Sequence, residues 1–286
     1  MDFREIRKIV IQAVFSDDTL TERLVLKGGN ALEIALGIIS RGSVDVDLST
    51  PGAFDDTEEL RSRLFAALED RFDAHGIVVF DQHFEEIPPA LADDATPWWG
   101  GYRATFKLLP RERYDALRPR PAKAQIEALP IAPKQERTFT IDISKHEFCG
   151  EKQAQDLDGF TIWLYTPAML ALEKLRAICQ QMAEYTVLRH KRSRGRDFYD
   201  IHAIVTRLAV DLSQSENLAL CRAIFEAKYV PLALLGHIGD ATVREFHRLD
   251  WERVRTSVVG EVPAGFDFYF NFVAGEAAKL KALWEE

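Results

Sequence analysis

Two aspartates that alternate with apolar residues are the strongest chemical feature of this sequence. Asp45 and Asp47 lie in the segment SVDVDL, residues 43–48. At the period of two of a β-strand, the apolar residues share one face and both carboxylates share the other, about 7 Å apart along the strand. Such oxygen ligands suit Mg²⁺ or Mn²⁺. Taken alone, an acidic pair of this kind is more often a solvated strand face, so its context must decide.

A third carboxylate, Asp142, lies in another alternating segment, TFTIDI, residues 138–143. If this segment forms a strand beside the first, Asp142 completes a triad that holds a second metal ion or accepts a proton from an attacking hydroxyl. Without that neighbour, Asp142 is an ordinary surface residue. Metal-binding carboxylates stabilise the negative charge that phosphoryl and nucleotidyl transfer place on oxygen. The three aspartates therefore favour that class of reaction.

A glycine pair precedes the acidic segment. Gly28 and Gly29 follow Lys27 and open a predicted helix over residues 31–39, for which Asn30 is the expected N-cap. Glycines at a helix start let backbone N–H groups approach phosphate oxygens, and the helix dipole favours the anion. Taken alone, the pair is more often an ordinary tight turn. With the acidic segment directly after it, the turn is a candidate triphosphate-binding site.

The hydrophobic periodicity predicts a mixed α/β half followed by a helical half, with a boundary near residue 160. The first half has helices predicted over residues 3–15, 31–39 and 56–74, and strands over 24–26, 43–48, 77–80, 102–108 and 139–143. Loops with prolines, such as residues 88–89 and 119–121, separate the later strands. Helices are predicted in the second half over residues 168–182, 197–208, 218–228 and 264–284.

Composition narrows the class of protein. The chain has 286 residues, is 47% hydrophobic and carries a net charge of −9, which argues against coating nucleic acid but leaves room for a local basic patch. Its three cysteines are far apart and show no zinc or redox spacing. No apolar run reaches the roughly 20 residues of a membrane span, and the N-terminus does not resemble a signal peptide. We expect a cytoplasmic protein without a membrane partner.

Four motifs in order resemble the AbiEii/AbiGii toxin family of polymerase-β-like nucleotidyltransferases, which includes the MenA toxins. They are LKGGNAL at residues 26–32, RGSVDVDL at 41–48, EKLR at 173–176 and RDFYD at 196–200. Two departures are Asn30, where the family usually has threonine, and a slightly longer gap between Gly29 and Asp45. The resemblance implies a polymerase-β-like nucleotidyltransferase core at residues 1–160 and a helical domain at 161–286 that closes the active-site cleft.

The resemblance also assigns roles to individual residues. It implies that Asp45 and Asp47 bind the metal, that Ser43 and Lys174 contact the nucleotide, and that Asp197 is an active-site carboxylate. Lysine chemistry agrees, because a compact cation on a flexible stem suits a triphosphate whose pyrophosphate is leaving. The candidate nucleotide-binding residues are thus Lys27, Gly28, Gly29, Ser43 and Lys174.

A basic run, RHKRSRGR at residues 189–196, lies between the last two motifs. Such a run is usually a solvated loop, but beside an active-site motif it is a candidate clamp for an RNA backbone or for the triphosphate. The residues expected to contact RNA are Arg189, Lys191, Arg192 and Arg194. Arg196 is left out because it adjoins Asp197 and is able to pair with a carboxylate.

The predicted reaction is attack of an acceptor hydroxyl on the α-phosphate of a nucleoside triphosphate, with Mg²⁺ or Mn²⁺ and release of pyrophosphate. The resemblance implies that the acceptor is the 3′ end of tRNA and that the protein is the toxin of a type IV-like toxin–antitoxin or abortive-infection system, with a cognate antitoxin as partner. Two alternatives stay open. One is nucleotidylation of a protein hydroxyl, as in AMPylation, and the other is a nucleotide-binding regulatory module without turnover.

Overall fold

The computed structural model describes residues 2–35, 37, 45–88, 99–131, 136–188, 190–258 and 264–285, apart from the side chains of residues 34 and 35. These residues divide into two compact units, and the division falls between Leu164 and Tyr165. The boundary expected from the sequence was residue 160. Ser43 and Arg189 lie outside the described residues.

A mixed seven-stranded sheet forms the centre of the first unit, in the order β3-β4-β5-β2-β1-β7-β6. Strands β2 and β5 are parallel, as are β1 and β7, and the other neighbours are antiparallel. The strands are β1 (Val25–Lys27), β2 (Val46–Ser49), β3 (Ile77–Ile87), β4 (Gly101–Pro110), β5 (Phe139–Ser144), β6 (Gln153–Leu157) and β7 (Phe160–Leu164).

Helices flank this sheet, and side-chain caps fix where several of them begin. Asp2, Asp17 and Asp56 each accept a hydrogen bond from a backbone N–H three residues later, which is the usual N-cap contact. A π-helical turn, Ala31–Ala35, continues the third helix. The helices are α1 (Phe3–Val14), α2 (Asp18–Arg23), α3 (Gly28–Asn30), α4 (Thr57–Asp73), α5 (Arg111–Leu117) and α6 (Pro121–Glu127).

In its described part, the second unit contains helices connected by loops and no strands. Its helices are α7 (Pro167–Cys179), α8 (Gly195–Arg207), α9 (Ser215–Glu226), α10 (Ala241–Arg248), α11 (Trp251–Ser257) and α12 (Phe266–Lys279), with 3₁₀ turns at Leu232–His237 and Lys281–Leu283. Phe198 of α8 is fully buried and packs against Phe266 and Phe270 of α12. Among the described helices, none combines the length and apolar character that crossing a membrane requires.

The predicted fold class, an α/β core with a helical C-terminal part, is confirmed. Three local predictions are corrected. Asn30 does not cap a helix: the helical turn already begins at Gly28, and Asn30 lies inside it. The segment around Pro121 is not a loop, because Pro121 occupies the first turn of α6, where its missing N–H costs nothing. Strand β3 runs to Ile87 instead of ending at Phe80, since its polar half pairs with β4.

Candidate active site

A row of charged residues crosses five adjacent strands of the sheet. The register pairs Glu85 of β3 with Arg103 of β4, Arg103 with Asp142 of β5, Asp142 with Asp47 of β2, and Asp47 with Lys27 of β1. Residues directly opposite one another in neighbouring strands have side chains on the same face, within about 5 Å at Cβ. The sheet therefore brings Asp47 and Asp142 side by side, and the strand adjacency on which the role of Asp142 depended is present.

Asp45 lies one residue before β2, and its backbone carbonyl accepts a hydrogen bond from the Asn30 side-chain amide. Partial burial raises the pKa of Asp45, and the negative charges of Asp142 and Glu136 raise it further, against the opposing effects of Thr140 and Arg103. The charge of one carboxylate is thus felt by the other. A bound cation would relieve this repulsion, so the electrostatics suit a metal ion.

Gly28 lies in direct contact with the acidic strand. Its φ of +71° is in the region that only glycine adopts without strain, and a methyl group at this position would overlap with the Asp47 carboxylate. Two independent constraints therefore require glycine at residue 28. The glycine turn leaves the space that the Asp47 carboxylate fills, which fixes the turn beside the acidic pair.

Lys27 is buried at the end of β1. Its ammonium lies 3.2 Å from the Ser144 hydroxyl and 3.4 Å from a Glu147 carboxylate oxygen. Both partners come from β5 or the loop after it. Lys27, the last residue of the row, thus also connects β1 to the end of β5 and to the loop that follows it.

Arg103 makes a two-point contact with Asp142: its Nε donates to Oδ1 at 2.8 Å and its Nη2 to Oδ2 at 3.1 Å. Paired geometry of this kind gives the stronger class of charged hydrogen bond. Both roles predicted for Asp142, metal ligand and proton acceptor, need one of these two oxygens. The contact with Arg103 therefore competes with either role.

The residues present fit a hard divalent cation in chemistry, since Asp45, Asp47 and Asp142 offer oxygen ligands only. Within the described ranges, however, no group of three or more histidine, cysteine, aspartate or glutamate side chains is arranged to hold a metal ion. Both oxygens of the Asp142 carboxylate already contact Arg103, so they are not directed at a shared metal position. Asp45 and Asp47 are accordingly the primary candidate ligands, and Asp142 is a conditional one.

A second charged cluster lies in the helical unit. The Lys174 ammonium of α7 donates to Asp197 at 3.0 Å and to Asp200 at 2.9 Å, both on α8, and all three side chains are buried. Burial acts to lower the pKa of Lys174, but the charges of Asp197 and Asp200 outweigh it and raise that pKa. The lysine is therefore held as a cation, positioned by two carboxylates one helical turn apart.

The start of α8 is anchored by residues 247–250. Asp250 accepts from the Gly195 N–H at 3.1 Å, and the buried His247 accepts from the Arg194 N–H at 2.8 Å through Nδ1. Burial lowers the pKa of His247 to about 4, which keeps the ring neutral and able to accept this bond. A methyl group on Gly195 would lie 2.6 Å from Asp250 Oδ1, so glycine is needed at this position as well.

The described residues of the basic run have different surroundings. The Lys191 ammonium donates to the backbone carbonyls of Gln180 and Tyr185, and partial burial lowers its pKa. Arg192 is exposed. Arg194 is 42% exposed and lies 3.5 Å from Asp197. In its described part, the run is thus anchored at Lys191 and presents Arg192 fully, and Arg194 partly, to solvent.

Sequence reasoning missed Arg103 and Asp200 as members of these clusters. Both carried a signal. Arg103 has the period-two spacing of a predicted strand, on the face opposite the apolar residues Tyr102 and Ala104. Asp200 follows Asp197 by three residues, a spacing that puts two side chains on one helix face. What the sequence did not contain is the register that brings Arg103 opposite Asp142.

Asp47 and Asp142 lie on neighbouring strands with a glycine turn in contact with Asp47, an arrangement suited to the charge that phosphoryl and nucleotidyl transfer place on oxygen. A sequence model of the family described as "Nucleotidyl transferase AbiEii toxin, Type IV TA system" matches residues 9–272. The chain therefore belongs to the AbiEii nucleotidyl transferase toxin family, as the four motifs predicted. No curated protein sequence matches it.

Three solved structures are similar to the chain. A provisionally assigned nucleotidyltransferase from H. pylori has 16% identity and a TM-score of 0.48, covering 99% of this chain and 95% of that one. JHP933 from Helicobacter pylori has 16% identity and a TM-score of 0.47, covering 98% and 91%. ANT(2")-Ia in complex with adenylyl-2"-tobramycin has 13% identity and a TM-score of 0.35, covering 79% and 98%. The family assignment depends on the family match alone.

Proposed function

We propose that this nucleotidyltransferase transfers a nucleoside monophosphate to an acceptor hydroxyl with the help of Mg²⁺ or Mn²⁺. The acceptor hydroxyl gives up its proton to water and its oxygen bonds to the α-phosphorus of a nucleoside triphosphate, while the bond between the α-phosphorus and the α–β bridging oxygen breaks to release pyrophosphate. The observation that carries the proposal is the pairing of Asp47 with Asp142, with Gly28 against the Asp47 carboxylate, in a chain of this family.

Each candidate residue has a defined role in this proposal. Asp45 and Asp47 hold the cation, which when bound offsets negative charge on the reacting phosphate oxygens. The backbone at Gly28 and Gly29 contacts the triphosphate, with Lys27 nearby. As the family resemblance implies, Ser43 and Lys174 contact the nucleotide and Asp197 is an active-site carboxylate. The contact between Lys174 and Asp197 keeps the ammonium in its charged form.

We propose RNA, in particular the 3′ end of tRNA, as the acceptor. Support comes from the family's toxin character and from the exposed Arg192 and partly exposed Arg194 in an otherwise acidic protein. A cognate antitoxin is the partner that the type IV system implies, and the cytoplasm is the compartment where tRNA is met.

A protein hydroxyl is the competing acceptor, as in AMPylation. Two observations favour it: the net charge of −9, and the use of the Lys191 ammonium within the fold, which leaves fewer cations for an RNA backbone. A regulatory module without turnover is the remaining alternative. The presence of Asp45, Asp47 and Asp142 around one face of the sheet argues against it.

The test is a labelling experiment. The protein is incubated with Mg²⁺, a cell extract and each nucleoside triphosphate labelled at the α-phosphate, and the label is followed into RNA and protein. Asp47→Asn should abolish incorporation, whereas Asp70→Asn, a matched change of an exposed aspartate on α4, should not. Label in the tRNA fraction supports the proposal, and label in protein supports the competing acceptor. Equal incorporation by Asp47→Asn would refute the site assignment.

A salt titration separates the two acceptors further. If Arg192 and Arg194 contact RNA phosphates, replacing both with alanine should reduce the slope of log affinity against log salt by about 0.7–0.9 for each lost contact. Lys191 is kept because it anchors the segment. Exposed Arg61 and Arg118 of the first unit, replaced together, provide the matched control. An unchanged slope would show that the run does not bind RNA.

A further inference from the structure

Arg103 and Asp142 form a pair that the core of the fold does not require. The Arg103 side chain is 42% exposed and that of Asp142 is 34% exposed, so solvent reaches both partners. Exposed ion pairs contribute little to stability in general, about 0–1 kcal/mol. The geometry is nevertheless the two-point kind that uses both carboxylate oxygens. The pair therefore controls what else Asp142 can bind more than it stabilises the sheet.

The positive charge of Arg103 reaches the whole acidic face. It acts to lower the pKa of Asp45, two residues before Asp47, and it pairs in register with Asp142 on one side and Glu85 on the other. Among the row of five charged residues, Arg103 is the cation that lies between two acidic neighbours. The Arg103 side chain therefore places a positive charge beside the candidate metal ligands.

We infer that Arg103 competes with the divalent cation for Asp142 and thereby sets the cation concentration at which the site fills. This inference builds on the proposed function. A hard cation needs a carboxylate oxygen at about 2.0–2.6 Å, and both Asp142 oxygens carry a guanidinium N–H. The two positive charges also repel each other. Binding of the ion to Asp142 consequently requires the two-point contact to loosen or break.

The size of the effect follows from the exposure of the pair. An exposed two-point pair contributes up to about 1 kcal/mol. A cation that must break this pair therefore binds with a dissociation constant up to roughly fivefold higher. Arg103→Gln should therefore bind the cation about three- to fivefold more tightly than the natural protein. Arg103→Lys should lie between the two, because lysine keeps the charge but not the paired geometry.

The experiment measures Mn²⁺ binding to the full chain by electron paramagnetic resonance, with no nucleotide present. A general field effect is separated from competition by a double-mutant cycle. If Arg103 competes for Asp142, Arg103→Gln should tighten binding clearly more in the natural background than when Asp142→Asn is already present, where only the charge repulsion is removed. Lys107→Gln removes a charge from the same face of β4 and should leave binding within twofold of the natural protein.

Three results would overturn the inference: unchanged Mn²⁺ affinity in Arg103→Gln, the same tightening in the Asp142→Asn background, or no Mn²⁺ binding by either protein. Label transfer by the natural protein, measured separately, tests the proposed function. If Asp47→Asn loses both Mn²⁺ and transfer while Arg103→Gln matches the natural protein, only the competition fails. Thermal melting of each variant, expected to be unchanged for Arg103→Gln, shows that affinity differences do not reflect unfolding.

Discussion

Replacing Lys174 with methionine should destabilise the helical unit strongly. The substitution removes the cation and leaves Asp197, 6% exposed, and Asp200, 1% exposed, as neighbouring buried carboxylates. Breaking a buried ion pair from one side costs about 3–5 kcal/mol. Arg194 and Arg196 remain at 3.5 and 3.7 Å, but both are about two-fifths exposed and each offsets only about 0–1 kcal/mol. We expect a net loss of about 3 kcal/mol.

Urea unfolding followed by tryptophan fluorescence measures this loss, and hydrogen exchange of α7 and α8 localises it. Lys281→Met, which removes a lysine from an exposed pair with Glu285, should stay within about 1 kcal/mol of the natural protein. Adding Asp197→Asn and Asp200→Asn to Lys174→Met should recover much of the stability, since no buried charge is then left alone. A Lys174→Met variant as stable as the natural protein would refute the reasoning.

The pH dependence has a defined sign. The pKa of Lys174 is raised in the folded state, so its stabilising effect is fully present below the unfolded value of about 10.4 and is lost only as pH rises through the folded value. Between pH 6 and 9 the natural protein should therefore show no change in stability from this group.

Three further variants test other contacts. Gly28→Ala should lose at least about 100-fold in transfer activity, because the added methyl group displaces the Asp47 carboxylate, and near-normal turnover would contradict this. Gly195→Ala should lower the free energy of unfolding by about 1–2 kcal/mol, since crowding against Asp250 outweighs the gain in helix propensity. The folded pKa of His247 is about 4, so between pH 7 and 4 this residue takes up a proton mainly in the unfolded state. The free energy of unfolding of the natural protein should therefore fall by about 3 kcal/mol over this range. His247→Gln should lack that loss in acid urea titrations, and an equal loss would exclude His247 as its cause.

Periodicity predicted the elements that hold the candidate site, because these are the elements with clear apolar faces. The opening helix, β1, α4 and β5 were all expected within a few residues of where they lie. Strand β2 begins at Val46, after Asp45, so the two aspartates do not share one regular strand. The short α2, α5 and α6, the hairpin of β6 and β7, and the helices α10 and α11 were not predicted, since each is short or has few apolar residues.

The contacts within the site were harder to predict from the sequence than the residues that make them. Alternation placed Asp45, Asp47 and Asp142 on the polar faces of predicted strands, but alternation does not say which strand lies beside which. The pairing of Arg103 with Asp142 depends on an antiparallel register between β4 and β5, which are separated by α5 and α6. Similarly, His247 and Asp250 contact the start of α8 only because of how their segment packs against it, and the sequence does not show that packing.

The five charged residues of the row come from five strands that are scattered along the chain between Lys27 and Asp142. During synthesis, a nascent chain that stops before β5 already contains Asp45 and Asp47 but cannot pair them with Asp142. Contacts between such distant segments form late, because the intervening loops must close first. The row of charges is thus complete only after most of the first unit has emerged from the ribosome.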